Sequence, residues 1–324
     1  MTVSVIILNW NGKMFLKECL DSLALQTYGD FETLLVDNGS TDGSAEFVRE
    51  NYPWVRLVAL PENTGFAEGN NRGLAVCEGK YIVTLNNDTK VAPDFLAEFL
   101  RPVEKDARIG MVAARMCNYY QPELIDAVGL KIGANGLGYN IGVGEKDEGQ
   151  YDGAVVFGPC GGAALYRRAM VDEVGFFDSD FFAYYEDFDL AWRGRLAGWE
   201  CAMAPRAVVY HIHSATSGEW SPFKVYQTQR NKWYVIIKNW PAALLIKYLP
   251  TVILTDVASF SLALLRGRGM AAMRARLDLL CTFRLLLRKR GNVQKKRKIS
   301  VWQVAVLFSP HEHPFRTFRR KMGA

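Results

Sequence analysis

A short apolar run that ends in three polar residues constrains this chain most. Tyr81 to Leu85 favour a strand and are mostly apolar, and Asn86-Asn87-Asp88 follow at once. Such a continuous run is typical of a strand buried on both faces, as in a parallel sheet covered by helices. Because ligands of open α/β sheets bind beyond the carboxyl ends of the strands, the run predicts a ligand site at its polar end. The alternative is an Asn-Asp turn that merely ends the strand.

The same polar residues indicate the kind of ligand. Asp88 offers one charge and its neighbours offer neutral oxygens, a set typical of a Mg²⁺ or Mn²⁺ ion held mainly by a substrate's phosphates. The predicted strand from Ala207 to Tyr210 ends in His211-Ile212-His213, and the two histidines would point the same way. One of them could complete a metal shell opposite Asp88. The alternative is a surface histidine that only makes a hydrogen bond.

Strand and helix patterns alternate from the start of the chain to this run. β-branched runs at Val3 to Leu8, Thr33 to Val36 and Val55 to Leu60 are each followed by a helical pattern, which predicts βαβ units and a parallel sheet. The strand ends would share one edge, where these polar residues converge on one crevice: Asn9, Asn11, Asp37, Asn38, Asn86, Asn87 and Asp88. The crevice predicts a nucleotide site. The lack of G-x-G-x-x-G and G-x-x-x-x-G-K-[ST] argues against dinucleotide and P-loop binding.

Two later stretches carry further candidates. Gly161 and Gly162 precede a strand of small residues, and they would either let a backbone approach something closely or form a simple bulge. Glu186, Asp187 and Asp189 fall in the first turn of a predicted helix. The helix dipole favours acids there, so capping is one explanation. A carboxylate at a partly apolar helix start can also serve as a general base.

A series of motifs supports a more specific interpretation. In chain order they are V-S-V-I-I-L-N-W-N-G, L-L-V-D-N-G-S-T-D-G-S, N-T-G-F-A-E-G-N-N-R-G, L-N-N-D-T, G-G-A-A-L-Y-R-R, E-D-F-D-L-A-W-R and H-I-H-S-A-T-S-G. Over roughly residues 1 to 240 the chain resembles inverting glycosyltransferase family 2, and within it the rhamnosyltransferase-like branch. The resemblance implies an α/β protein of the GT-A fold, with a Rossmann-like, mostly parallel central sheet flanked by helices.

The resemblance also implies a role for each matching residue. Contacts to a nucleoside-diphosphate sugar would come from Asn9, Asn11, Asp37 and Asn38, with Asn63, Gly65 and Asn70 nearby. Asn86 to Asp88 would stand in place of the family's D-x-D motif, so that Asp88 binds the divalent cation, with His211 near the metal and the diphosphate. Asp187 would match the family's base, with Glu186 beside it. The acceptor side would include Gly161, Gly162 and Asp189.

One departure from the family pattern affects the metal. Asn86 and Asn87 replace carboxylates of the motif, so metal affinity should be weaker and should depend more on the donor diphosphate. The implied reaction is a single displacement with Asp187 as base. The donor would be a dTDP- or UDP-linked sugar, with rhamnose favoured over N-acetylglucosamine, galactose or galactofuranose. The alternatives are a nucleotidyltransferase, whose phosphate loop is poorly supplied here, and a non-catalytic sugar- or lipid-binding relative.

Charge is divided unevenly along the chain. Residues 266–324 hold 16 of the 39 basic residues and two acidic ones, a net of +14, which leaves −9 on residues 1–265. Just before this basic tail, Ala242 to Leu265 is apolar but contains Asp256, which would be costly at the centre of a spanning helix. We therefore predict an interfacial helical region on an anionic membrane, near a lipid-linked or glycan acceptor. A soluble helical appendage is the alternative, and nucleic-acid binding is disfavoured because no recognition motif is present.

These observations predict two domains and a location. Residues 1–225 would form the GT-A catalytic domain, with a nucleotide-sugar half at about 1–117 and an acceptor half at about 118–225. Residues 226–324 would form the helical, basic, membrane-associating region. The six cysteines include no C-x-x-C pair, which favours a reducing compartment. No signal-peptide pattern begins the chain. We thus expect the protein at the cytoplasmic face of the inner or plasma membrane.

Overall fold

The structure, a computed structural model, describes residues 1–212 and 220–309 of the 324-residue chain. His213, the second histidine of the predicted pair, lies outside these ranges. The first elements are β1 (Val3–Asn9), α1 (Lys13–Ala24), β2 (Phe31–Asn38), α2 (Ser44–Asn51), β3 (Arg56–Leu60), α3 (Gly65–Leu74), β4 (Tyr81–Asn86), β5 (Thr89–Val91), α4 (Phe95–Lys105) and β6 (Ile109–Asn118). Every strand predicted up to Leu85 is therefore present.

The second part of the chain contains shorter strands and longer helices. Its elements are β7 (Ile125–Ala127), β8 (Leu130–Gly133), β9 (Gly138–Asn140), β10 (Ala163–Arg167), α5 (Arg168–Val174), a 3₁₀ turn (Ser179–Phe181), α6 (Glu186–Leu196), β11 (Glu200–His211), α7 (Pro222–Asn239), α8 (Ala242–Leu265), α9 (Gly269–Lys295), α10 (Val301–Ala305) and β12 (Phe308–Ser309). The predicted helix after Tyr185 is α6, with Glu186, Asp187 and Asp189 in its first turn.

The central sheet has the strand order β3-β2-β1-β4-β10-β6-β11-β5, with β7 paired to β6. Strands β3, β2, β1 and β4 pair in parallel, as the βαβ pattern predicts. Strand β10 then pairs antiparallel to both β4 and β6, so the second half of the sheet is mixed. Strand β5 follows β4 after two residues, too few for a helical crossover, and it pairs antiparallel with β11 at the far edge.

The apolar strands are buried on both faces of the sheet. In β1, Ile6 packs into one hydrophobic cluster with α3 and α6, whereas Val5 and Ile7 pack into another with α1 and α4. All three side chains are fully buried. Because successive strand residues point to opposite faces, a strand covered on both sides must be apolar throughout. This explains the nearly continuous runs, in which the buried hydroxyls of Ser4 and Thr84 are hydrogen-bonded, while the amides and carboxylates lie at the strand ends.

The helices after β11 share the hydrophobic core of the catalytic domain. The predicted boundary between residues 225 and 226 falls inside α7, where Tyr234 and Trp240 belong to the same buried cluster as Trp192 of α6. The rings of Trp192 and Trp240 lie 6.3 Å apart. Helix α7 therefore packs against both the catalytic domain and the later helices, and the assignment of residues 226–324 to a membrane-associating region stays a prediction. Among the described residues, one helix, α8, has the length and composition to cross a membrane.

Candidate active site

The ends of β1, β2 and β4 meet in a connected set of side chains. Asn9 is fully buried, donates from Nδ2 to Asp37 Oδ1 at 3.0 Å, and accepts at Oδ1 from Asn87 Nδ2 at 2.7 Å. Asn11 is exposed, and its Oδ1 accepts from the backbone amide of Thr41 at 2.8 Å. The structure thus brings the polar strand ends together at one edge of the sheet, and it leaves Asn11 open to solvent.

Asn38 shapes the turn that begins α3. Its Oδ1 accepts from the amide of Thr64 at 2.9 Å, and its Nδ2 donates to Asn63 Oδ1 at 3.0 Å and to the carbonyl of Gly65 at 3.2 Å. Both ends of this amide are therefore engaged within the protein. Asn70 is also buried, and its Nδ2 donates to a carbonyl one turn earlier in its own helix at 2.9 Å. The structure shows both asparagines supporting the turn and the helix beside the crevice.

Asp126, His211 and Asp88 form a row beside the end of β4, with the imidazole between the two carboxylates. His211 Nδ1 is 2.7 Å from Asp126 Oδ2, and its Nε2 is 3.3 Å from Asp88 Oδ1. Nε2 is also 3.3 Å from Nδ2 of Asn86. All three members of the row are buried. The structure therefore places the predicted metal residues Asp88 and His211 together, and it adds Asp126 behind the imidazole.

The donors around Asp88 fit a cation that a ligand's phosphates would also hold. Within residues 1–212 and 220–309, no three acidic, histidine or cysteine side chains form a metal-binding group. Asp88 and His211 could supply two ligands, and Asp126 would orient the imidazole, as carboxylates commonly do in metal sites. Burial alone would lower the pKa of His211, but Asp126 and Asp88 raise it to about 10, so metal binding there would release a proton. When bound, Mg²⁺ or Mn²⁺ would neutralise charge on a departing diphosphate.

The glycine pair joins the end of β4 to α6. Gly161 accepts at its carbonyl from Thr84 Oγ1 at 2.8 Å and donates from its amide to Asp187 Oδ2 at 3.1 Å. The carbonyl of Gly162 accepts from the amide of Asn86 at 2.8 Å. A Cβ at Gly161 would lie 3.4 Å from that of Asp187, and one at Gly162 would lie 3.1 Å from Asn86 Nδ2. The backbone of the glycine pair therefore lies against the start of α6 at Gly161 and, more tightly, against the end of β4 at Gly162.

Two adjacent carboxyl groups at the start of α6 differ in their surroundings. Burial raises the pKa of Asp187 to about 6, while the amides of Gly161 and Phe188 oppose that shift. Burial, and then the charge of Asp187, raise the pKa of Glu186 well above its ordinary value. Glu186 Oε2 is buried without a hydrogen-bond partner in the described structure. Burial thus favours protonation of Glu186 over Asp187, whose carboxylate keeps two amide donors and is better suited to act as the general base.

The prediction that Asp189 lies on the acceptor side needs correction. Its side chain is fully buried and points toward α7, where Oδ1 is 2.9 Å from Lys238 Nζ and accepts from Asn239 Nδ2 at 2.8 Å. Its Oδ2 is 2.8 Å from Arg193 Nε. Residues two apart on a helix point to different sides, so Asp189 faces the core whereas Asp187 faces the crevice. Asp189 is therefore not on the acceptor side.

Two residues of this region were missed in the sequence. Asp126 lies in a three-residue strand within a glycine-rich segment, where nothing distinguishes it from the neighbouring acids. Asn231 lies on α7, is fully buried, and contacts the segment that precedes α6. The sequence contained a signal for Asn231. The apolar run from Tyr234 to Ile237 indicates a buried helix, and polar residues on the buried side of such a helix need partners.

The comparisons with known proteins identify the family. The sequence profile described as "Glycosyl transferase family 2" matches residues 4–175, which is more than half of the chain. The chain belongs to glycosyltransferase family 2. The matched range includes β1 to β10, and with them Asn9, Asp37, Asp88 and the glycine pair. The acids at the start of α6 follow this range.

Individual relatives of this family 2 protein match different shares of the chain. An uncharacterized glycosyltransferase of Escherichia coli K12 (YibD) is 34% identical over 119 residues, which are 36% of this chain and 34% of that protein. The chain thus spans about a third of that relative. An N-acetylglucosaminyl-diphospho-decaprenol L-rhamnosyltransferase of Mycobacterium tuberculosis is 25% identical over 239 residues, or 66% of this chain and 77% of that protein.

A solved structure supports the fold. GalNAc-T7, crystallised with UDP, GalNAc and Mn²⁺, superposes with a TM-score of 0.60 at 17% identity and covers 75% of this chain and 48% of that one. This likeness confirms the GT-A fold, with a curled, mixed sheet flanked by helices. At this level of identity it shows the fold alone.

Proposed function

We propose that this family 2 protein is an inverting glycosyltransferase. One observation carries the proposal: Gly161 contacts Asp187 through its amide and Thr84 through its carbonyl, and Thr84 lies in the strand that leads to Asp88. These hydrogen bonds support the proposal that a base and a carboxylate for the diphosphate side share one site, as an in-line displacement would require. Asp187 takes the proton of the acceptor hydroxyl, and the oxygen of that hydroxyl bonds to the anomeric carbon. The nucleoside diphosphate leaves from the opposite face, which inverts that centre.

We propose a dTDP- or UDP-linked donor, rhamnose as the favoured sugar, and a lipid-linked acceptor in cell-envelope glycan synthesis. The name of the mycobacterial relative supports this choice, since it describes rhamnosyl transfer to a diphospho-decaprenol-linked sugar. The presence of Mn²⁺ and UDP in the GalNAc-T7 crystal supports a divalent cation beside Asp88. N-acetylglucosamine, galactose and galactofuranose are the competing donor sugars.

A donor panel tests this proposal. We expect the full chain, supplied with Mg²⁺ or Mn²⁺ and N-acetylglucosaminyl-diphospho-polyprenol, to release dTDP from dTDP-L-rhamnose faster than UDP from UDP-linked N-acetylglucosamine, galactose or galactofuranose. Faster transfer from one of these would retain the enzyme class and reject rhamnose. If neither dTDP nor UDP binds with or without the cation, the donor site itself is refuted.

We further propose that α8 and α9 rest on an anionic membrane at its cytoplasmic face. Both helices expose apolar side chains at helical spacing, among them Ile246, Ile253 and Leu254 on α8 and Met273, Leu277 and Leu280 on α9. Exposed basic residues accompany them, including Lys247, Arg274, Arg284 and Arg288. Apolar side chains beside positive charges are suited to the headgroup region, where each charge contributes about 1 kcal/mol.

Asp256 indicates how α8 would lie. Its carboxylate is 2.7 Å from Lys232 Nζ, 2.8 Å from Trp233 Nε1 and 2.8 Å from Arg276 Nη2. The charge is therefore compensated on the side of α8 that faces α7 and α9, and the opposite side is apolar. A spanning α8 would have to draw these polar partners into the bilayer. The contacts support a helix that lies along the surface.

Vesicle binding tests the membrane proposal. We expect Leu254→Glu to weaken binding to vesicles of phosphatidylcholine with phosphatidylglycerol by roughly tenfold or more, because an apolar side chain leaves the interface and a negative charge enters it. Leu25→Glu is a matched control. Leu25 lies at the end of α1, in the catalytic domain, and its side chain is 71% exposed, as is that of Leu254. Equal effects of the two changes, or equal binding to vesicles without phosphatidylglycerol, would contradict the proposal.

A further inference from the structure

The segment that leads into α6, which we name the entry loop (residues 181–185), has a strained backbone. Three of the four positive-φ residues other than glycine in the described structure lie in it: Phe182 (60°), Tyr184 (69°) and Tyr185 (72°). Phe182, with a ψ of −65°, forms a rare γ-turn in which the amide of Ala183 donates to the carbonyl of Phe181 at 2.7 Å. Such conformations cost about 1–3 kcal/mol each and persist only where the surroundings hold them. Asp187 follows this loop by two residues.

Asn231 of α7 contacts most of the entry loop. Its Nδ2 is 2.9 Å from the carbonyl oxygen of Phe181, 2.9 Å from that of Ala183 and 2.7 Å from that of Tyr184. The side chain is fully buried, and its Oδ1 accepts from Arg230 Nε at 2.9 Å. Because three carbonyls of one short loop converge on a single donor group, removing that donor would take one hydrogen-bond partner from each of them, while Phe181 would keep the amide of Ala183 and Arg230.

Neighbouring residues of α7 hold the chain on both sides of the loop. Arg230 Nη2 donates to the carbonyl of Asp180 at 2.8 Å, just before the loop. Lys238 lies 2.9 Å from Asp189, in the first turn of α6, and also pairs with Asp178. Seven residues separate Asn231 from Lys238, so both lie on one face of the helix. That face of α7 therefore spans the whole entry to α6.

The opposite side of the entry loop faces the turn at the start of α3. The carbonyl of Phe182 accepts from the amide of Ala67 at 3.1 Å. A Cβ at Gly65 would lie 2.6 Å from that same carbonyl oxygen, so the loop and the turn are packed too closely to shift independently. The entry loop is thus fixed between α7 and the element that Asn38 shapes on the donor side.

We propose that Asn231 is a positioning residue for the base. It fixes the strained entry loop, the loop sets where α6 begins, and that start holds the Asp187 carboxylate against the amide of Gly161. In this role Asn231 acts through the loop and not by contact with the sugar donor or the acceptor substrate. The proposal deepens the proposed function and rests on it where it names Asp187 as base, while the contact between Asn231 and the loop can be tested without any substrate.

Hydrogen exchange and kinetics together test this role. In Asn231→Ala we expect faster amide exchange in peptides covering residues 178–190 and a kcat about 10²-fold lower, because small displacements of a reacting group cost about this much. The dissociation constant of the nucleoside diphosphate and the KM of the donor should stay unchanged. Asn231→Asp keeps the side-chain volume but turns an acceptor toward the three carbonyls, so it should show the same changes even if the alanine variant folds poorly.

Lys232→Met is the matched control. Lys232 is the next residue of α7, is also buried, and pairs with Asp256 of α8 instead of the loop. We expect normal exchange in residues 178–190 and an unchanged kcat per folded molecule. Equal losses of kcat in the Asn231 and Lys232 variants, or unchanged exchange in both Asn231 variants, would overturn the proposal. If the wild-type protein transfers no sugar, the proposed function fails, and the exchange data alone still decide whether Asn231 holds the loop.

Discussion

Asp187→Asn should abolish sugar transfer and leave donor binding intact. Removing a placed general base typically costs about 10²–10⁴-fold in rate, because the acceptor hydroxyl then keeps its proton as it attacks. Asn preserves the size of the side chain and one of the two oxygens, so either the amide of Gly161 or that of Phe188 keeps its acceptor and the start of α6 should persist. The measurements are kcat with the best donor of the panel and calorimetric binding of its nucleoside diphosphate. Retained transfer would remove Asp187 from this role.

Glu186→Gln is the informative comparison, together with a pH profile. Burial and the charge of Asp187 raise the pKa of Glu186 and favour its protonated form, which Gln resembles, so the loss of kcat should be much smaller than in Asp187→Asn. The pKa of Asp187 is raised to about 6 and its ionised form is the base, so kcat should fall as the pH drops through about 6 and level off above it. The apparent midpoint belongs to the coupled pair. A larger loss of kcat in Glu186→Gln than in Asp187→Asn would identify Glu186, and not Asp187, as the base.

Asp88→Ala should remove metal-dependent binding of the nucleoside diphosphate. Asp88 supplies the carboxylate that follows β4, 3.3 Å from His211, and Asn86 and Asn87 beside it are uncharged. We expect a loss of about 3 kcal/mol of transition-state stabilisation, or roughly a 10²-fold fall in kcat/KM. Calorimetry with and without Mn²⁺ should show that the cation no longer strengthens diphosphate binding to the variant.

Asp94→Ala provides the control for this change. Asp94 is an exposed aspartate before α4, and its side chain makes no capping hydrogen bond, so its loss removes the same charge without touching the site. Binding of the diphosphate and its response to Mn²⁺ should match those of the wild-type protein. A metal response that survives in Asp88→Ala, or that is lost equally in Asp94→Ala, would exclude Asp88 as the ligand.

The sequence by itself determined the elements that depend on local pattern. Continuous apolar runs predicted β1 to β4, because a strand covered on both faces has no polar position to spare. The parallel order of these strands then placed Asn9, Asp37 and Asn87 at one edge, where the structure joins them by hydrogen bonds. Glu186 and Asp187 were placed at a helix start for a similar reason, since acids concentrate in first turns.

Only the tertiary structure decided which of these residues share a site and which support it. Asp189 lies two residues from Asp187, yet its partners Lys238 and Asn239 come from a helix some fifty positions later in the chain. Asp126 and Asn231 likewise act on residues far from them in sequence. Periodicity and propensity describe what a segment does with its own neighbours, whereas ion pairs and loop contacts between distant segments exist only once the chain has packed. For that reason the sequence assigned α7 to the C-terminal region, whereas the structure also packs it against α6.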